Sequence, residues 1–268
     1  MLRFEYGGRS HAGLVRTNNE DSGFAGPYLQ LVADGVGGQA AGEVASATAA
    51  YVMSALANRF AATPGADLAA LFERAVRLTH EQLREGTAAV PSRAGMGTTV
   101  TALLTDGERV VLGQIGDSRA YLMRDGELSQ LSHDQTYVQI LVDAGLISRE
   151  DARRHPRKNV VLQALDGEHL ATPDVVAVDV HVGDRLLVCS DGLTDLVDDA
   201  QVAACLRLDD PDDAAAALVV AALAAGGLDN VTCAVADVVD GPRLVPDGLR
   251  LGAAGDPWLV VDPAAVHA

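Results

Sequence analysis

Between residues 97 and 131 apolar and polar positions alternate in GTTVTALLT, ERVVLGQIG, DSRAYLMR and ELSQLS, and Asp-Gly pairs at 106–107 and 125–126 separate the runs. A period of two places successive side chains on opposite faces of a strand, and Asp-Gly favours a tight hairpin, so the stretch predicts an antiparallel meander. Further strands are expected near 11–15 and 28–33, in VVAVDVHV and DRLLVCS, and in NVTCAVADVV as a last buried strand. Elsewhere the period lengthens. In AAGEVASATAAYVMSALANRF, Val44, Tyr51, Val52, Ala55, Leu56 and Phe60 recur at helical spacing. Pro64 and Gly65 break that helix, and Leu68, Leu71, Phe72, Ala75, Val76 and Leu83 form the apolar stripe of a second. Residues 134–164 read as helical and irregular, with Ser148 as an N-cap and a polar RRHPRKN stretch that suggests a surface flap. Pro211 opens an Ala-rich helix that Gly226 and Gly227 close.

Strand blocks followed twice by helix pairs predict an α+β fold, a four-layer α-β-β-α sandwich of two antiparallel sheets flanked by helix pairs. The chain has 268 residues, 49% of them hydrophobic, enough to bury the core of one domain. That domain is expected over residues 1–240. Residues 241–268, which contain the single Trp258, form a C-terminal tail whose role the sequence does not show. The formal net charge of −17, from 37 acidic and 20 basic side chains, argues against nucleic acid or an anionic membrane as the main partner. With no membrane-length apolar run and no export signal, a cytoplasmic protein is expected. Cys189, Cys205 and Cys233 form no CxxC pair and read as reduced core thiols.

Where predicted strands end, an acidic residue recurs beside Gly, Ser or Asn: Asp34 in LVADGVGG, Asp117 in GQIGDSRAY, Asp191 in LLVCSDGLTD and Asp229 in GGLDNVTC. A sandwich that brings these ends to one edge assembles hard oxygen ligands, the donors that suit Mg²⁺ and Mn²⁺.

Six ordered segments extend this reading: RTNNED at 16–21, VADGVGGQAAGE at 32–43, GMGTT at 95–99, GDSRAY at 116–121, CSDGLTD at 189–195 and DNVTC at 229–233. Together they resemble the bacterial metal-dependent protein serine/threonine phosphatases, the PPM or type 2C family, over about residues 5–239. The resemblance implies hydrolysis of phosphoserine and phosphothreonine in phosphorylated proteins, opposing bacterial Ser/Thr kinases, at a centre of two Mn²⁺ or Mg²⁺ ions. It casts Asp34 as the carboxylate that bridges both ions, the Gly35 carbonyl as a ligand of one, and Asp191 and Asp229 as ligands of the other. Two such cations share a water, acidify it and aim it at phosphorus. Arg16 matches the family's phosphate-binding arginine, whose planar fork donates two parallel hydrogen bonds. Glu20 and Asp21 read as carboxylates that bind waters on the ions and hold Arg16 in place. Asp117 resembles the ligand of a third, weaker ion, shared with Asp191. The bland alternatives are a surface salt bridge for Arg16, loop solvation for Glu20 and Asp21, and turn capping for Asp117.

One departure bears on the chemistry. Where many relatives carry His, this chain has Val36 and Gln39, and neither donates a proton near neutral pH. The resemblance then leaves protonation of the leaving oxygen to a water on a metal. A pseudophosphatase that binds phosphoproteins or a regulatory partner without turnover is the alternative, and the presence of Asp34, Gly35, Asp191 and Asp229 argues against it. A two-metal phosphodiesterase acting on nucleic acid fits the ligands but not the charge.

Overall fold

A computed structural model describes residues 1–36, 41–60 and 63–267. The alternating segments resolve into two antiparallel sheets. One has five strands in the order β1 (Leu2–His11), β11 (Val231–Asp240), β10 (Arg185–Cys189), β7 (Arg119–Arg124) and β8 (Glu127–Gln130). The other runs β12 (Leu249–Gly252), β2 (Asp21–Gly26), β3 (Leu29–Val36), β5 (Val100–Thr105), β6 (Val110–Ile115) and β9 (Asp174–Val178), with β4 (Gly97–Thr98) beside β3. Phe4, Val32, Leu103, Leu112, Leu186 and Val188 pack between the sheets as a buried apolar central layer. Each such side chain contributes about 1.5–3 kcal/mol by leaving water.

Outside the second sheet lie α1 (Gly42–Phe60) and α2 (Leu68–Ala89), whose stripes bury Leu56, Phe72 and Leu83 against Leu31 and Ile115. The Asp67 side chain caps α2 by accepting from Ala70 N at 3.0 Å, which restarts the helix after the Pro64–Gly65 break. Outside the first sheet, α5 (Asp191–Thr194), α6 (Asp199–Cys205) and α7 (Pro211–Ala224) pack Leu193, Val202 and Leu218 onto Tyr121, Leu187 and Val235. The order is therefore helix, sheet, sheet, helix, and strands covered on both faces explain why β5 and β11 read as nearly unbroken apolar runs. Between β8 and β9 the flap segment holds α3 (Tyr137–Asp143) and α4 (Arg149–Arg154). Ser148 caps α4 in a reciprocal pair with Asp151.

The strand expected near 11–15 shifts, and β2 and β12 have no counterpart among the expected strands. β1 starts at Leu2 and ends at His11, and residues 13–15 form a turn before β2. Gly7 sits in β1 because α7 passes so close at Asp212 that a side chain would collide with its backbone. Residues 241–267 fold back over the second sheet. Leu244 N donates to Tyr28 Oη at 2.7 Å, β12 pairs antiparallel with β2, and Val266 is buried. Among the described residues no helix is long and apolar enough to cross a membrane.

Candidate metal centre

Asp21 and Asp34 lie directly opposite one another on β2 and β3, so their carboxyls share one face of the sheet. The Asp34 backbone is held from both sides: its N–H donates to Thr99 Oγ1 at 3.0 Å, and its carbonyl accepts from Thr98 Oγ1 at 2.9 Å. At Gly35 a side chain would stand 2.6 Å from the Glu20 carbonyl oxygen and from Gly42, so glycine alone permits this approach of strand, loop and helix start. Asp191 follows β10 and opens α5, close enough to Asp34 for its charge to act on that carboxyl. Asp117 occupies the turn between β6 and β7, buried, where Gly116 N donates to Gln135 Oε1 at 2.8 Å. Asp229 lies in the loop before β11, with Oδ1 accepting from Asn230 N at 2.8 Å and Oδ2 from Arg16 Nη2 at 2.7 Å.

The structure thus brings Asp21, Asp34, Asp117, Asp191 and Asp229 to one edge of the sandwich. Their electrostatics record it. Burial raises Asp21 to about 7, with the charges of Asp191 and Asp229 adding to it and hydrogen bonds from Ser190 and Thr232 opposing it. Burial raises Asp117 to about 8, helped by Asp191 and Asp134. Asp191 rises to about 6 through burial and repulsion from Asp195 and Asp229. Asp34 lies well above the usual carboxylate range, through burial and then repulsion from Asp21, Asp191 and Asp117. Every unit of such a shift is about 1.4 kcal/mol withheld from the charged form.

This donor set fits hard divalent cations. It is all oxygen, it is short of positive charge, and Asp21 Oδ1 is buried without a hydrogen-bond partner. Among the described residues no three His, Cys, Asp or Glu side chains close around a single point as a finished cage.

Residues that carried no periodic signal hold the carboxylates in place. Ser190 Oγ donates to Asp21 Oδ2 at 2.7 Å and accepts from Thr232 N at 3.0 Å. Asn230 Nδ2 donates to the carbonyls of Ala12 and Asn18, while its Oδ1 accepts from Glu20 N at 2.8 Å. Both lie inside the CSDG and DNVTC segments, which were the available signal. Arg16, half-exposed at the rim, is held by Asp229, with Glu20 and Asp34 also drawing on its charge. Glu20 accepts from Asn18 Nδ2 at 2.9 Å. Val36 ends β3 opposite Gly97, and Gln39 lies outside the described residues.

A cleft of about 480 Å³ runs from Asp117 and Asp191 between the flap and α6. Two ion pairs span it, Lys158 to Asp195 at 2.5 Å and Arg153 to Asp199 at 3.5 Å.

This fold and this acidic edge define a class, and comparison with known proteins agrees. Residues 8–218 match the family described as Protein phosphatase 2C, and the chain belongs to that family. It is similar to the serine/threonine protein phosphatase PstP of Mycobacterium tuberculosis, at 47% identity over 239 residues, 89% of this chain and 46% of that protein. It is also 34% identical to the serine/threonine phosphatase stp of Listeria innocua over 84% of this chain and 92% of that one. The chain spans about half the length of the mycobacterial relative. Among solved structures, the Mycobacterium tuberculosis phosphatase PstP/Ppp superposes with a TM-score of 0.83 at 45% identity, covering 89% of this chain and all of that one. The PstP catalytic domain in complex with two manganese ions gives a TM-score of 0.79 at 45% identity, over 90% of this chain and 100% of that chain.

Proposed function

We propose that the protein is a serine/threonine protein phosphatase that works with two Mn²⁺ or Mg²⁺ ions, and that residues 1–240 carry the catalysis. The observation that supports it is the convergence of Asp34, Asp117, Asp191 and Asp229 at one sheet edge, where burial and mutual repulsion leave a site in need of positive charge. Asp34 would be shared by the two ions, with the Gly35 carbonyl, Asp191 and Asp229 completing their protein ligands and Asp117 with Asp191 taking a third, weaker one. When bound, the ions supply charge against the phosphoryl oxygens and acidify water for in-line attack.

The chain's own residues do the rest. Asp229 occupies one N–H of Arg16, and a guanidinium has five, so the same side chain can hold Asp229 and fork onto phosphoryl oxygens. Asp21 Oδ1 and Glu20 offer acceptors that orient water, and Ser190, Thr232 and Asn230 keep those acceptors still. The cleft beside Asp117 gives room for the polypeptide that carries the phosphate, with Arg153 and Lys158 on its flap wall.

Phosphorylated proteins are the substrates in this reading, and Ser/Thr kinases the activities it opposes. The free, buried thiols of Cys189 and Cys233 support a place in the reducing cytoplasm. The decisive experiment is hydrolysis of a phosphothreonine peptide. Phosphate release is expected with Mn²⁺ or Mg²⁺ and should vanish in excess chelator. Undiminished release in chelator would overturn the mechanism.

A further inference from the structure

We propose that residues Leu249–Val266 are a positioning strap whose Gly252 backs the start of β2, and that the strap thereby sets how tightly the carboxylate edge binds divalent metal. The proposal rests on the reading of that edge as a metal centre, and it concerns a stretch outside the family match at residues 8–218.

Two routes lead from the strap to the site. The first runs through Gly252, which pairs with Ser22 and has φ +59°. A side chain there would overlap the Asp21 carbonyl oxygen and stand 2.9 Å from Ser10 Oγ. Ser10 Oγ accepts from Asn19 Nδ2 at 2.8 Å and shares a 2.7 Å hydrogen bond with Thr232 Oγ1. Asn19 Oδ1 in turn accepts from Asp21 N at 3.2 Å, and Thr232 N reaches Asp21 through Ser190 Oγ. Gly252 therefore touches two points on the ring of hydrogen bonds that fixes Asp21, the carboxylate opposite Asp34. Leu251, buried against Gly8 and Gly23, seats it there.

The second route runs through α1. Val261 N donates to Thr48 Oγ1 at 3.2 Å, Tyr51 Oη to the Pro263 carbonyl at 3.1 Å, and Arg59 Nη1 to the Val266 carbonyl at 2.9 Å. At the other end of the same helix, Ser46 Oγ donates to the Glu20 carbonyl at 2.6 Å and bonds Ser22 Oγ at 2.9 Å, while Gly42 packs on Gly35. The first route ends on Asp21, and the second on Glu20, Ser22 and Gly35. Gly252 is a positioning residue, since it reaches the carboxylates only through others.

The test is Mn²⁺ titration calorimetry on the full chain without substrate. Gly252→Ala should raise the Mn²⁺ dissociation constant about tenfold, the scale of a change in groups that orient ligands. Leu251→Ala should shift it in the same direction and decides the matter if Gly252→Ala does not fold. Trp258→Ala, at an 89% exposed strap position, should bind Mn²⁺ as the parent does. As a control for general loosening, Leu218→Ala in the opposite helix layer should lower the melting temperature without weakening Mn²⁺. Unchanged affinity in the Gly252 and Leu251 variants overturns the proposal, as does weakening of equal size in Leu218→Ala. If the parent chain itself takes up no Mn²⁺, the metal-centre reading fails and the strap proposal falls with it.

Discussion

Asp34 near the end of β3 and Asp191 just after β10 come from different sheets, and their mutual repulsion adds to burial in raising Asp34 above the usual carboxylate range. Removing either carboxylate should remove the centre with it. Asp34→Asn and Asp191→Ala are each expected to lower turnover of a phosphopeptide by well over the roughly 100-fold that bounds losses from orienting groups; near-parental rates would mean the ligands are misassigned. Arg16→Ala should raise KM at saturating Mn²⁺, and Arg16→Lys should recover only part, because an ammonium has no fork. The Asp229 contact adds a second signature to that variant: Mn²⁺ affinity should change as well, since the same guanidinium positions a ligand. Asp117→Ala is expected to harm phosphopeptide hydrolysis more than p-nitrophenyl phosphate hydrolysis across a Mn²⁺ titration. An alkoxide needs a proton on leaving and an aryl oxide hardly does, and Val36 offers none. Equal losses on both substrates would remove proton delivery from the Asp117 side of the site.

At the scale of elements, the meander, α1, α2, the Ser148 cap and α7 were legible because each is governed by a period or a cap within one short window. The aspartates were legible for the same reason, as breaks in strand pattern. β1 was not, since Gly7 and Gly8 interrupt its alternation and their need for space comes from α7 and Leu251, more than 200 residues away. Ser190, Asn230 and Thr232 show no role in the sequence, because a hydroxyl or amide that holds a buried carboxylate has no local pattern to betray it. The Lys158–Asp195 and Arg153–Asp199 pairs across the cleft are equally non-local, and being exposed they are worth little in stability. A different pair carries weight. Arg119 of β7 donates from Nε and Nη2 to both carboxylate oxygens of Asp134, at the start of the flap segment, and both side chains are largely buried. Asp134→Asn should cost about 3 kcal/mol or more in a denaturant melt, as expected when one partner of a buried pair is lost. A loss below about 1 kcal/mol would show that water screens the guanidinium.

For the molecule as a whole, the acidic edge links metal to pH. In the metal-free chain Asp191, Asp21 and Asp117 titrate at about 6, 7 and 8, against 3.8 as the ordinary value. The folded state therefore holds more protons than the unfolded one across that window, and its stability falls as pH rises through it. Asp106 and Asp184 act in the opposite sense. Despite burial, their hydrogen bonds with Arg109 and Arg124 hold them below 3.8, so their contribution is lost only as pH falls through that lower range. Melting temperatures in chelator should decline from about pH 5 to about pH 8, and Mn²⁺ should restore most at the alkaline end. A flat profile would mean that the carboxylates are solvated and only weakly coupled.

β12 has one more consequence. Without it, β2 would be the outer strand of its sheet and present a row of unsatisfied N–H and C=O groups, a template on which a second chain can add its own strand. β12 occupies that row, and it is itself a poor template: Leu249–Gly252 is four residues long, carries exposed Arg250 and stops at a glycine. Variants that loosen the strap are thus expected to self-associate before they unfold, seen as light scattering that grows with protein concentration below the melting transition.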